Sequence, residues 1–209
     1  MQNQNQMNQQ QPQGKQLSEN MMPNMSHGGH ELLDAHEVIG GMIGLLDQYK
    51  MYDQHIQDPE LKDILGRQYN FMTTLYNIVL ESLQTGQEPS TSTYIYNMTQ
   101  SNDVMYGLTP GQPKKPVQSV NELSDGGLSG YMMGQVKGLA SSMTMAALEI
   151  TNPVLRRVVS DSVPNLIEMG YEIFLYQNKH GYYQVPQLSQ QDMTTILQSY
   201  TQAQQNPLN

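Results

Sequence analysis

The chain has 209 residues, enough for one domain with a sizeable core plus tails. Charged residues make up 14%, well under the roughly 25% of ordinary soluble domains, and a net charge of −9 argues against a nucleic-acid partner, whose phosphates it would repel. Cysteine is absent, which excludes disulfides, thiol catalysis and Cys-based zinc sites; no apolar run approaches the ~20 residues of a membrane span, and the start lacks the apolar core of a secretory signal.

Residues 1–27 read as a disordered tail. Gln and Asn dominate up to Met25, with Pro12 and Pro23, so little apolar surface offsets the entropy of ordering. Ser26-His27-Gly28-Gly29-His30 is a hinge into a bundle expected over 28–186. The first helix is expected at about 31–57. Ala35, Val38, Met42, Leu45, Tyr49, Tyr52 and Ile56 step by three and four residues, one stripe along a helix. Gly40, Gly41 and Gly44 interrupt it, each at about 1 kcal/mol relative to Ala, which implies close approach of another helix. Asp58-Pro59 then starts a second helix, expected at 59–84. Asp accepts a free N–H of the first turn, and Pro needs no N–H at that position. Gly86 is its stop. The short junction makes the two helices antiparallel neighbours.

A crossover is expected over 88–127, with Pro89, Pro110, Pro113 and Pro116. Tyr94, Met98, Val104 and Met105 should pack it down, with a short helix between about 94 and 106. The third helix is expected at 128–151 and the fourth at 153–179, stopped by Gly181. Pro164 should kink the fourth, because it removes the bond to the Ser160 carbonyl. Residues 182–186 read as extended. In the tail 187–209, Ser189 with Asp192 resembles a helix start, so a short helix should run through Ile196, Leu197 and Tyr200.

The second helix pair repeats the first at an offset of 94. Asp58-Pro59 becomes Asn152-Pro153, and the stripe from Ala35 becomes Ser129, Met132, Val136, Leu139, Met143, Ala146 and Ile150. The polar break at Gln68 returns as Ser162. These matches indicate internal duplication. Two antiparallel pairs joined by one long crossover describe an all-α, ferritin-like four-helix bundle.

Catalytic ferritin-like bundles hold two metals, with a Glu from each of two helices and a Glu-x-x-His from each of the others. The second helix has no acid between Asp63 and Glu81. The third has none between Asp125 and Glu149. In the first, Glu37, Asp47 and Asp53 lie off the stripe. The fourth has Asp161, Glu168 and Glu172, but no His three positions later. The helix centres therefore read as apolar, and no catalytic, cofactor-binding or metal residue is assigned. His27, His30 and His36, near Glu31, Asp34 and Glu37, are the one dense group of possible ligands; they read as solvated histidines beside acids at a helix start. No nucleophile elbow or phosphate loop is present. Tyr49, Tyr52 and Tyr76 read as core. Tyr94, Tyr96, Tyr106, Tyr182, Tyr183 and Tyr200 fall in mobile parts, where they and the many Gln could be cross-linked.

The paired Asx-Pro helices, the Tyr94-Ile95-Tyr96 crossover, the Gln/Asn-rich start and the Tyr182-Tyr183 ending resemble the spore coat protein F family of endospore-forming bacteria. The resemblance spans about 31–186. It implies a non-catalytic structural protein of the spore coat, made in the mother-cell cytoplasm and partnered by other coat proteins, with a homo-oligomer as a further expectation; charge and hydropathy add that no nucleic-acid or membrane partner is expected, and no cofactor is assigned. The alternatives are a ferritin-like protein that binds or oxidises metal at an atypical site, and a soluble interaction or chaperone-like bundle.

Overall fold

A computed structural model describes residues 15–204. The tail expected over 1–27 therefore lies mostly outside the described residues, as do the last five. Helix α1 spans Gly29–Asp53, α2 Pro59–Thr85, α3 Asp125–Glu149, α4 Pro153–Lys179 and α5 Gln190–Leu197. Single 3-10 turns lie at Ser18–Asn20, Pro23–Met25 and Val120–Glu122.

Caps decide where the helices begin. Asp58 accepts the Glu60 N–H at 2.9 Å ahead of α2, and Asn152 accepts from Val154 and Leu155, both at 3.0 Å, ahead of α4. Both caps are extended, the conformation that a following Pro favours. That preference, with the Asp58 cap, accounts for α1 stopping at Asp53, short of the expected 57: the chain unwinds before Asp58. Helix α3 starts at 125 rather than 128 because Ser124 accepts the Gly127 N–H. Helix α4 continues through Pro164 as one helix. Ser189 caps α5 by accepting the Asp192 N–H at 3.1 Å, and α5 ends at Leu197, leaving Tyr200 beyond it.

Helix α1 packs on α2 and α3, and α4 packs on the same two. The α1–α3 contacts run antiparallel, from His30 with Glu149 through Gln48 with Gln135 to Tyr52 with Tyr131. Those of α2 with α4 also run antiparallel, from Glu60 with Lys179 to Gln68 with Met169. Thus α1 and α4 point one way, α2 and α3 the other, and the crossover joins two parallel helices. This is the one-crossover connectivity of ferritin-like bundles.

The core follows the 94-residue offset closely. Each of the ten buried residues of α2 corresponds to a buried residue of α4, from Leu61 with Leu155 to Ser82 with Tyr176. Three pairs mismatch in chemistry: Phe71 corresponds to Asn165, Ile78 to Glu172 and Ser82 to Tyr176. Of the three glycines inside α1, only Gly41 meets another helix, where an added Cβ would sit 3.3 Å from Leu139; Gly40 and Gly44 face open space. The close-approach reading of those two is therefore wrong.

The crossover contains no helix between 94 and 106. Its N–H groups bond to α4 side chains instead of to its own carbonyls. Tyr96 donates to Asn165 Oδ1 at 2.8 Å, Thr99 to Glu172 Oε1 at 3.2 Å and Met105 to Asn178 Oδ1 at 2.6 Å. Gly107 continues this by donating to the Val185 carbonyl at 2.9 Å. Tyr96 is the buried anchor. The Met105 side chain, expected to pack, is exposed.

Candidate functional site: the centre and the ends of the bundle

The centre of the bundle is not uniformly apolar. Glu172 on α4 is fully buried, three residues after Met169 and so on the inward face. Arg67 Nη1 donates to its Oε1 at 2.8 Å. Tyr96 OH donates to its Oε2 at 2.5 Å, and Gln68 Nε2 to the same oxygen at 3.1 Å. Gln68 also receives the Tyr49 hydroxyl at 2.8 Å, so α1, α2, α4 and the crossover meet in one polar network. The sequence reading that the centre lacks carboxylates is thereby corrected. The physical reason is compensation: a lone buried carboxylate is costly, but one with a guanidinium and several donors is tolerated. Periodicity could have exposed Glu172, since it lies seven residues after the buried Asn165. Arg67 and Tyr96 gave no such signal.

Burial works against charge on Arg67, but its bonds to Asp63 and Glu172 outweigh that and raise its pKa. Burial, reinforced by the Glu172 bond, pushes the Tyr96 phenol far above its ordinary value. Tyr49 rises for the first of these reasons. A guanidinium, a phenol and an amide aimed at one carboxylate are all donors. A hard metal ion needs the opposite, several oxygen or nitrogen acceptors converging.

The two ends are held by carboxylates at matching positions. Glu31, buried near the start of α1, accepts Thr151 N at 2.7 Å, Asn152 N at 3.2 Å and the Thr151 hydroxyl. Asp125, the first residue of α3, accepts Gln57 N at 2.9 Å and Asp58 N at 3.1 Å. The offset holds for donor and acceptor alike: 125 − 31, 151 − 57 and 152 − 58 all equal 94. Each hairpin's turn is thus capped by the other hairpin. Burial would raise the Glu31 carboxyl, but the bonds from Thr151, His27 and Gly28 outweigh it and hold its pKa below the ordinary value.

The histidine group is divided. His27 is turned inward, with Nδ1 2.7 Å from Glu31 Oε1 and a side chain only 4% exposed, so its reading as solvated is corrected. The cause is the docking of the segment before it. Ser26 Oγ receives Asn152 Nδ2 at 2.9 Å, and the Pro23–Met25 turn packs on α2. Order therefore begins before residue 28. His30 stays at the surface, 2.8 Å from Glu149 and 3.1 Å from Asp34. These three, and separately Asp58, Glu60 and His180, bring possible ligand atoms within 4.8 Å of one another. Lys179 Nζ already occupies Glu60 in the second group, at 2.8 Å. Of the tyrosines placed in mobile parts, Tyr96 is buried; Tyr94, Tyr106, Tyr182, Tyr183 and Tyr200 are exposed.

The chain is 51% identical over 177 residues to the spore coat protein F-like protein YhcQ of Bacillus subtilis (strain 168), covering 85% of this chain and 82% of that protein. The chain belongs to the spore coat protein F-like family. The family described as Coat F domain matches residues 124–186, which hold α3, α4 and the segment bonded to the crossover. Within that match lie Asp125, Thr151 and Glu172; Glu31, Arg67 and Tyr96 fall before it. No solved structure matches the chain. Among the described residues no helix is long and apolar enough to cross a membrane.

Proposed function

We propose that the protein is a structural, non-catalytic component of the endospore coat, made in the mother-cell cytoplasm and assembling there with other coat proteins. The observation that carries this reading is the 51% identity, over most of both chains, to a relative whose name places it among spore coat F-like proteins. The bundle centre supports it. Where ferritin-like enzymes gather metal ligands, this chain has one carboxylate tied to a guanidinium, a phenol and an amide. Such a group fixes the packing of three helices and the crossover, and it offers no open position to a substrate. The reciprocal caps Glu31 and Asp125 support the further reading that the two hairpins are copies of one ancestor.

The test is a fluorescent fusion followed through sporulation. Signal should gather around the developing spore and stay with purified spores. Signal that remains diffuse in the mother cell, and is absent from purified spores, would overturn the proposal.

A further inference from the structure

Among the described residues, two apolar surfaces are left largely uncovered. One is a groove of about 590 Å³ between α3 and α4. Leu166 lies buried beneath it, and Ile167 stands on its margin, 63% exposed. Phe174 forms its wall, stacked on Tyr171 at 5.8 Å and met edge-on by Tyr183 at 5.5 Å. Lys137 is the one charged residue lining it. The other surface is α5. None of its residues is buried, and its side-chain hydrogen bonds are local. Met193, Ile196 and Leu197 follow the i, i+3, i+4 spacing with which an amphipathic helix fills an apolar groove, and Tyr200 lies exposed just past the helix end. Asp192 is the only charge on α5.

We propose that α5 of one copy docks in the α3–α4 groove of a second copy. Apolar anchors meet an apolar groove, and Asp192 is opposite in sign to Lys137. On a chain of net charge −9 these two surfaces carry one charge each, of opposite sign, so repulsion between copies is weak there. The protein's own α5 does not line its groove, and it leaves Ile196 and Leu197 exposed with Met193 half-buried. The contact joins two different surfaces, so it is heterologous. Repeated in one direction, the contact leaves a free groove at one end of the assembly and a free helix at the other, so the assembly grows as an open chain wherever the rotation between copies does not close. This gives the coat-component reading, on which its biological use rests, a specific means of self-assembly. The contact itself is measured on pure protein, where localisation plays no part, so either idea can fail alone.

The experiment uses the full chain and two variants, Ile167→Glu in the groove and Leu197→Glu on the helix. Both positions are exposed, Leu197 by 75%, so far-ultraviolet circular dichroism should match the unaltered protein. In light scattering after size exclusion, the unaltered chain should grow in mass with concentration. Each variant alone should lose that association by about tenfold or more, since a charge is forced into an apolar seat. Mixed in equal amounts, the variants should form a species of twice the 23.6 kDa chain mass and no larger, because Leu197→Glu keeps its groove and Ile167→Glu keeps its helix. An unaltered chain that stays monomeric would overturn the proposal, including the case in which α5 folds back onto its own bundle. So would variants that associate like the unaltered chain, or a mixture that stays monomeric.

Discussion

Arg67 and Glu172 form a buried ion pair whose value depends on what is removed. Taking away one partner leaves an uncompensated charge, at about 3–5 kcal/mol; replacing both with apolar groups of similar size can be neutral. Arg67 reaches partly to solvent, so Arg67→Met should cost near the lower end, about 3 kcal/mol. Adding Glu172→Leu should recover much of that loss in urea unfolding. A double variant as unstable as the sum of the singles would show that the pair does more than cancel charge. Glu31 gives a pH-dependent case. Its folded pKa is depressed below the ordinary 4.5. Such a carboxyl adds stability that is present above its unfolded value and lost as pH falls through the folded one. Glu31→Gln should therefore be about 2 kcal/mol less stable at neutral pH. The gap should narrow below pH 4.5, because only the unaltered protein then loses the charged bonds; thermal melts across pH 3–7 would reveal it. Legibility at this scale was uneven. Glu31 lies four residues before Ala35, on the same stripe, yet its acidity made it look like a solvated helix start. Burial of a charge is decided by partners far away in sequence, here Thr151 and Arg67, and no local pattern announces them.

Elements were more legible than residues, because caps and breakers act locally. Asp58-Pro59 and Asn152-Pro153 mark the starts of α2 and α4 through one turn of chain. Helix ends that depend on tertiary partners were harder: α1 stops early because of the geometry before Pro59. The crossover was misread because its N–H groups are satisfied by Asn165, Glu172 and Asn178 rather than by itself. Gly86 combines both kinds of constraint. It closes α2 with φ +67°, and an added Cβ would lie 2.1 Å from the Pro23 carbonyl oxygen. Gly86→Ala must therefore strain the backbone and push the Pro23–Met25 turn away, costing more than about 1 kcal/mol. The expected result is a lower melting temperature together with faster proteolysis between 23 and 28. Lower stability with unchanged proteolysis would mean that the turn moves with the helix end.

At the scale of the whole molecule, the buried positions of the two hairpins match at an offset of 94, while the crossover takes its backbone bonds between 96 and 105 from one hairpin and rests Tyr96 on Arg67 and Phe71 of the other. Helix α4 carries it: Asn165 bonds Tyr96, Glu172 bonds Thr99, and Asn178 bonds Met105 through both its donor and its acceptor. Asn178 Nδ2 also donates to the Tyr183 carbonyl at 3.0 Å, so one side chain ties the crossover to the chain leaving the bundle. The crossover therefore has little stability of its own and should open without unfolding the helices. Asn178→Ala tests this. Hydrogen exchange at the Met105 amide should accelerate to the rate of the unbonded crossover amides. Exchange at Tyr96, held by Asn165 nearer the middle of α4, should change little. If Tyr96 and Met105 accelerate together, the crossover is a single cooperative strap. If neither moves, its order comes from the packing of Tyr96 against Phe71, whose rings lie 5.2 Å apart, and the amide bonds to α4 are a consequence of that packing rather than its cause.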